Sequence, residues 1–106
     1  MNDEPQVVLC TVPDTDTAKT IATALVTEKL AACVNIVPGI TSVYRWKGAV
    51  ENDAECLLLI KTNAHTWPAL ESRIGSLHPY ELPEIIAVPI QTGQKDYLQW
   101  ITDSLK

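Results

Sequence analysis

The 106-residue sequence predicts an α+β domain with one antiparallel sheet and three helices. Short β-branched runs alternate with segments whose apolar residues recur every three or four positions, as in helices that bury one face. The order is strand, helix, strand, strand, helix, strand, with one more helix at the end. Because no linker or low-complexity segment divides the chain, residues 1–106 are expected to form a single domain.

The first strand and helix have clear boundaries. Gln6–Val12 (QVVLCTV) is an apolar, β-branched run typical of a buried strand, and Pro13 ends it. Segment 14–16 (DTD) then offers N-cap oxygens and negative charge at a helix start. The helix is expected to last to about Leu30. Its apolar face has i, i+3, i+4, i+7 spacing and consists of Ala18, Ile21, Ala22 and Leu25.

Two long strands are predicted next, Ala32–Trp46 and Val50–Thr62, joined by a tight turn at 47–49 (KGA). Segment 38–39 (PG) predicts a bend or bulge within the first of them. One face of the second strand starts acidic and becomes apolar further along. Its acidic residues are Glu51, Asp53 and Glu55. The strand is therefore expected to be solvated at that end and buried on both faces at the other.

The second half of the chain repeats the helix–strand pattern. A helix is predicted from Thr66 with the apolar residues Trp67, Leu70, Ile74 and Leu77, and segment 78–80 (HPY) ends it. Glu84–Ile90 is the fourth strand, and Pro89 places that end at a sheet edge. A last helix after Gly93 carries Leu98, Ile101 and Leu105.

This order defines the split, ferredoxin-like βαββαβ arrangement with an extra C-terminal helix. Right-handed crossovers put both crossover helices on one face of the sheet, so the other face is expected to lack a helix of its own. The first strand lies beside the fourth and runs antiparallel to it. The end of strand one should therefore approach the start of strand four.

The two middle strands are too long for the rest of the sheet. At roughly 3.3 Å per residue they reach some 40 to 50 Å, and the outer strands about half of that. A hairpin that outruns its sheet leaves backbone groups unpaired, and the helix-free face also needs cover. We therefore expect a homo-oligomer. The alternative is a twisted hairpin that ends in solvent.

Charge and cysteine content exclude several classes of protein. With 13 acidic and 8 basic residues the net charge is −5, which disfavours a nucleic-acid partner and attracts cations. Three cysteines without a CxxC motif argue against a secreted disulfide framework. Segment 1–6 lacks the features of a signal peptide, and no apolar run is long enough for a membrane span. We expect a cytoplasmic protein without a membrane partner.

Several segments together resemble the CutA family of divalent-cation tolerance proteins. They are VVLCTVPD, EKLAACVNIVPGITSVYRWKG, LLIKT, HPYELPEI and YLQWI, in this order along nearly the whole chain. The resemblance implies a homotrimer related in shape to the PII signalling proteins. It also implies a link to the tolerance of divalent metals, with copper binding described for bacterial members.

The candidate metal ligands are Cys10 and His78, with Glu84 as a third. Thiolate and imidazole suit copper and zinc, so Cu(II) and other divalent cations are the expected ligands. The resemblance implies that copper-binding bacterial members have a cysteine at the position of Cys10 and a histidine pair before Pro-Tyr. In this chain only His78 of that pair is present, because Leu77 replaces its neighbour. The alternative is that Cys10 is a small buried apolar residue and His78 a helix-end histidine.

The remaining signals favour binding over catalysis. The sequence contains no GxSxG, HExxH, Walker A or GxGxxG motif, so no enzyme activity is expected. A second hypothesis is a PII-like trimeric signalling or scaffold module that binds a small anionic metabolite between subunits, near Lys61, Tyr80 and Glu84. Segment 44–47 (YRWK) at the hairpin tip is either a docking surface or packs into a neighbouring subunit.

Overall fold

The computed structural model describes residues 3–106; Met1 and Asn2, part of the N-terminal segment considered for a signal peptide, lie outside the described residues. The predicted order of elements is confirmed. The elements are β1 (Pro5–Val12), α1 (Thr15–Thr27), β2 (Cys33–Trp46), β3 (Ala49–Asn63), α2 (Trp67–Leu77), β4 (Ile85–Pro89) and α3 (Lys95–Ser104). The fold is thus the predicted α+β, ferredoxin-like arrangement with an additional helix.

The sheet has four strands in the order β2-β3-β1-β4, and all neighbours are antiparallel. β1 therefore lies inside the sheet, between β3 and β4. Cys10, near the end of β1, pairs with Ile85, the first residue of β4. This register confirms that the end of strand one approaches the start of strand four.

The core lies between one face of the sheet and the helices α1 and α2. Alternate residues of β1 and β3 supply the sheet side, namely Val8, Cys10, Val12, Cys56, Leu58 and Ile60. The predicted apolar face of α1 is confirmed, since Ala18, Ile21, Ala22 and Leu25 are its buried residues. Between the helices, Arg73 Nη2 lies 3.0 Å from Glu28 Oε2 on the surface, where an ion pair adds little to stability.

Helix α1 ends at Thr27, earlier than predicted. Its start is as expected, because Asp14 Oδ1 accepts a hydrogen bond of 2.7 Å from the Thr17 N–H. At the other end, Lys29 has φ of 60°. This left-handed residue turns the chain, and the N–H groups of Leu30 and Ala31 then both donate to the Leu25 carbonyl.

The β2–β3 hairpin extends far beyond β1, as the strand lengths predicted. Segment 49–55 of β3 pairs only with β2, whereas segment 57–61 pairs with both β2 and β1. The turn uses Lys47 and Gly48 with φ of 50° and 83°, the signs that a tight hairpin turn needs. The predicted bulge is confirmed by a register shift between Val37 and Ile40.

The second face of the sheet is apolar and only partly covered. Val7, Leu9, Leu57 and Leu59 are half-buried on this face, and their strand neighbours Ile86 and Val88 are exposed by 52% and 47%. Helix α3 contacts β1 and β3, and Tyr97 lies beside Cys33 at one end of the face. This face was expected to have no helix of its own, but α3 covers one end of it.

Adjacent residues at the end of α1 allow a test of this core. Leu25 is fully buried and Val26 is 43% exposed. We expect Leu25→Ala to lower the free energy of unfolding by about 2–5 kcal/mol, because it leaves a cavity in the core. Val26→Ala should change it by less than about 0.5 kcal/mol. Urea denaturation of both variants measures the difference, and equal losses would contradict the assignment of the core.

Candidate functional site

The candidate site is a cleft of about 660 Å³ at the end of β1, where the hairpin leaves the sheet. The loop between α2 and β4 forms the opposite wall. Three aromatic residues line the cleft, namely Tyr44, Trp46 and Tyr80. Three glutamates line it as well, namely Glu55, Glu81 and Glu84. Its volume lies within the range of small-molecule binding sites.

A partly buried hydrogen bond lies at the inner wall of the cleft. Tyr80 Oη donates to Glu55 Oε2 over 2.6 Å, and Glu55 is only 7% exposed. Desolvation and the bond to Glu55 raise the pKa of Tyr80, so the phenol keeps its proton. The sequence placed Glu55 with the solvated carboxylates. That expectation is wrong for Glu55, because Tyr80 arrives from the α2–β4 loop and covers it.

The outer wall of the cleft is the solvated end of the hairpin. Tyr44 and Trp46 alternate along β2 and therefore share one side of it, opposite the β3 residues Glu51 and Ala49. The Tyr44 hydroxyl donates to the Asp53 carboxylate on this side. This bond raises the pKa of Tyr44 to about 12. Both cleft tyrosines are thus neutral phenols that donate to carboxylates.

His78 has a hydrogen-bond partner on each ring nitrogen. Nε2 lies 2.8 Å from the Thr11 carbonyl oxygen, and Nδ1 accepts from the Tyr80 N–H over 3.1 Å. Since a carbonyl oxygen only accepts, Nε2 carries the proton and the ring is the neutral tautomer. His78 is 8% exposed and stacks at 4.7 Å between ring centroids with Tyr80. It thereby fixes the loop that carries Tyr80.

Cys10 approaches the same carbonyl oxygen from the core. Its Sγ lies 3.9 Å from the Thr11 oxygen, and the residue is fully buried. Burial, together with the charges of Glu84 and Glu55, raises the pKa of the Cys10 thiol to about 12. The thiol is therefore protonated at neutral pH, whereas the thiolate is the form that binds metals.

The fold brings the three predicted ligands to one end of the sheet. Cys10 and His78 both contact Thr11, and Glu84 adjoins the Ile85 that pairs with Cys10. Yet no group of three or more Cys, His, Asp or Glu side chains within residues 3–106 is arranged to hold a metal ion. The sulfur is protonated and buried, and both ring nitrogens of His78 are engaged. Only Glu84 fits a metal ion as it stands, and the ligand set remains a prediction.

Other predicted positions lie elsewhere. Lys61 is at the opposite end of the sheet from Tyr80, paired with Val7, and its Nζ donates to Asn35 Oδ1. Cys56 is buried in the core, whereas Cys33 is only half-buried and lies beside Lys61. The sequence pointed to segment 44–47 and to Tyr80 separately, but it did not predict that their aromatic side chains line one cleft. The sequence signal for this cleft was Glu55, an acidic residue directly before the buried part of β3.

The buried state of Cys10 predicts its chemical reactivity. With iodoacetamide at pH 8, we expect Cys10 to be alkylated at least about 100-fold more slowly in the native protein than in urea, because burial suppresses both access and the thiolate. Raising the pH from 8 to 9 should accelerate the native reaction about tenfold, because the thiolate fraction grows tenfold per pH unit this far below a pKa of about 12; in urea the gain should be only about threefold, because the ordinary thiol pKa of about 8.5 lies within this range. Peptide mass mapping measures both rates. Similar native and denatured rates would contradict the placement of Cys10.

Within the described residues 3–106, no helix has the length and apolar character that crossing a membrane requires.

The family model described as "CutA1 divalent ion tolerance protein" matches residues 6–104. The Divalent-cation tolerance protein CutA of Thermus thermophilus is 57% identical over 99 residues, which cover 93% of this chain and 96% of that protein.

Solved structures agree with the sequence relatives. The divalent cation tolerance protein (Cut A1) of Thermus thermophilus superposes with a TM-score of 0.94 at 55% identity, over 96% of this chain and 99% of that one. Protein CutA 1, chloroplastic, of Oryza sativa is 49% identical over 94% of this chain. The chain spans about half the length of some curated relatives, 56% of the rice protein and 51% of human Protein CutA. On the family match, the shared fold and these identities, the chain belongs to the CutA1 divalent ion tolerance family.

Proposed function

We propose that this chain works as a homotrimer that binds divalent metal ions, Cu(II) among them, and acts by binding rather than by turnover. The observation that carries the proposal is the charge of the cleft. Its lining contains three glutamates and a single base, Arg45. Carboxylates concentrated at a low-dielectric wall raise the local concentration of cations. Membership in a divalent ion tolerance family agrees with this charge.

The hypothesised ligands are Cys10, His78 and Glu84. Glu84 fits without rearrangement, because it is exposed and lines the cleft. Cys10 would have to lose its proton, and His78 would have to give up one of its two hydrogen bonds. With Leu77 in place of a second histidine, we expect copper binding of micromolar or weaker affinity.

The homotrimer is supported by two surfaces that a single chain leaves open. Segment 49–55 of β3 has only β2 as a neighbour, and the outer edge of β2 has no partner strand within residues 3–106. The apolar second face, defined above, is exposed at Ile86 and Val88. Pairing with identical subunits covers both surfaces. The number three follows from the family resemblance, with residues 1–106 as one domain in each subunit.

A small anion at the same cleft is a weaker candidate. The three glutamates of the cleft repel it, and Lys61 lies at the opposite end of the sheet within the same chain.

For the location of the protein we propose the cytoplasm, because its three cysteines are all free thiols, as a reducing compartment keeps them.

The metal proposal is tested by titrating the metal-free protein with Cu(II) in an isothermal calorimeter. We expect Cys10→Ser and Glu84→Gln each to weaken binding at least about tenfold, because each removes a ligand atom. Glu71→Gln, an exposed carboxylate on α2, is the control and should bind as the unchanged protein does. Equal copper uptake by the Cys10→Ser variant would reject the ligand assignment.

The assembly is tested on the second face of the sheet. We expect Ile86→Asp to shift the protein from trimer to monomer in sedimentation velocity, because a carboxylate opposes burial of this face. Val26→Asp, at an exposed position of α1, should leave the trimer intact. Circular dichroism checks that both variants remain folded. A monomeric unchanged protein at micromolar concentration would refute the proposal.

A further inference from the structure

We propose that the cleft binds a small organic ammonium ion, held by its aromatic side chains and attracted by its glutamates. The relevant aromatic residues are Tyr44, Trp46 and Tyr80, which come from two walls of the cleft. Aromatic faces combined with negative charge are the environment that recognises quaternary and other organic ammonium groups. This site shares Glu84 with the hypothesised metal site, but it uses the aromatic rings in place of Cys10 and His78.

The aromatic residues are positioned by the backbone. Tyr44 and Trp46 lie two residues apart on β2 and therefore project to the same side of the hairpin. Tyr80 stands across the cleft on the α2–β4 loop, held by its backbone N–H on His78 and its hydroxyl on Glu55. These anchors fix one wall of the cleft before any ligand arrives, which reduces the entropy cost of binding.

The polar groups of the cleft select for a cation. Both phenols donate their protons to carboxylates, Tyr44 to Asp53 and Tyr80 to Glu55. Their hydroxyl hydrogens are therefore occupied and do not offer donors to an anion. The exposed Glu81 and Glu84 at the rim face one base, Arg45. Charge complementarity thus favours a positively charged occupant.

One aromatic face already holds a cation of the chain itself. Lys47 Nζ lies 5.7 Å from the centroid of the Trp46 ring. This distance is within the range of cation–π attraction. Trp46 is 36% exposed in the single chain, so its ring is not buried by the chain's own residues. The indole thus has the accessibility and the environment needed to contact an ammonium group.

The size of the cleft suits an organic ammonium ion. Its volume of about 660 Å³ accommodates a molecule of many atoms. Hard metal ions need several oxygen ligands at about 2.0–2.6 Å, and no such cluster of acidic, cysteine or histidine side chains occurs within residues 3–106. An ammonium group needs only ring faces and a nearby negative field.

The experiment is calorimetric titration of the assembled protein with choline in the presence of EDTA. The matched probe is 3,3-dimethyl-1-butanol, in which carbon replaces the charged nitrogen. We expect saturable choline binding and at least about fivefold weaker binding of the neutral alcohol, because only the cation gains from the ring faces and carboxylates. Insensitivity to EDTA separates this result from metal binding, so either proposal can fail without the other.

Variants locate the binding. Trp46→Leu and Tyr80→Leu should each weaken choline at least about fivefold, whereas Tyr80→Phe, which keeps the ring, should retain most of the affinity. Tyr97→Leu is the control, since Tyr97 is an exposed aromatic residue on α3 outside the cleft. Equal binding of choline and the neutral alcohol overturns the proposal. So does an equal loss in the Tyr97→Leu variant, or the absence of saturable binding at millimolar choline.

Discussion

The overhang of the β2–β3 hairpin beyond β1 is the constraint on which the rest of this structure depends. Segment 49–55 has a partner strand on only one side. In a single chain, its backbone hydrogen bonding and the packing of its apolar side chains are therefore incomplete. Strand β1 ends at Val12, next to this projection. The cleft forms at that corner, because the hairpin forms one wall and the α2–β4 loop forms the other.

The loop owes its position to a short relay of hydrogen bonds. The Thr11 carbonyl accepts from His78, whose other nitrogen accepts from the backbone of Tyr80. The Tyr80 hydroxyl then reaches Glu55. A residue that sequence arguments assign to metal binding thus has a visible structural task. Such a polar relay holds its members in place only while each hydrogen bond is satisfied.

The placement of Cys10 and Glu84 separates two kinds of chemistry at this end of the sheet. The thiol belongs to the core, where burial and nearby carboxylates raise its pKa to about 12. Glu84 belongs to the solvated cleft with Glu55, Glu81 and the aromatic rings. A soft metal ion would have to reach the buried thiol of Cys10 in the core. An organic cation needs only the solvated cleft, which is open in the single chain.

Residue patterns were enough to predict the order of elements, the buried face of α1, the bulge before Ile40 and the excessive length of the hairpin. These features follow from periodicity and from local residue preferences, so neighbouring residues suffice to reveal them. The family, too, was recognisable from segments along the chain. The folded chain was needed to see that Tyr80 covers Glu55, that both ring nitrogens of His78 are hydrogen-bonded, and that Tyr44 and Trp46 line the same cleft as Tyr80. These contacts join residues far apart in the chain, and their geometry depends on the packing of loops that no local pattern specifies.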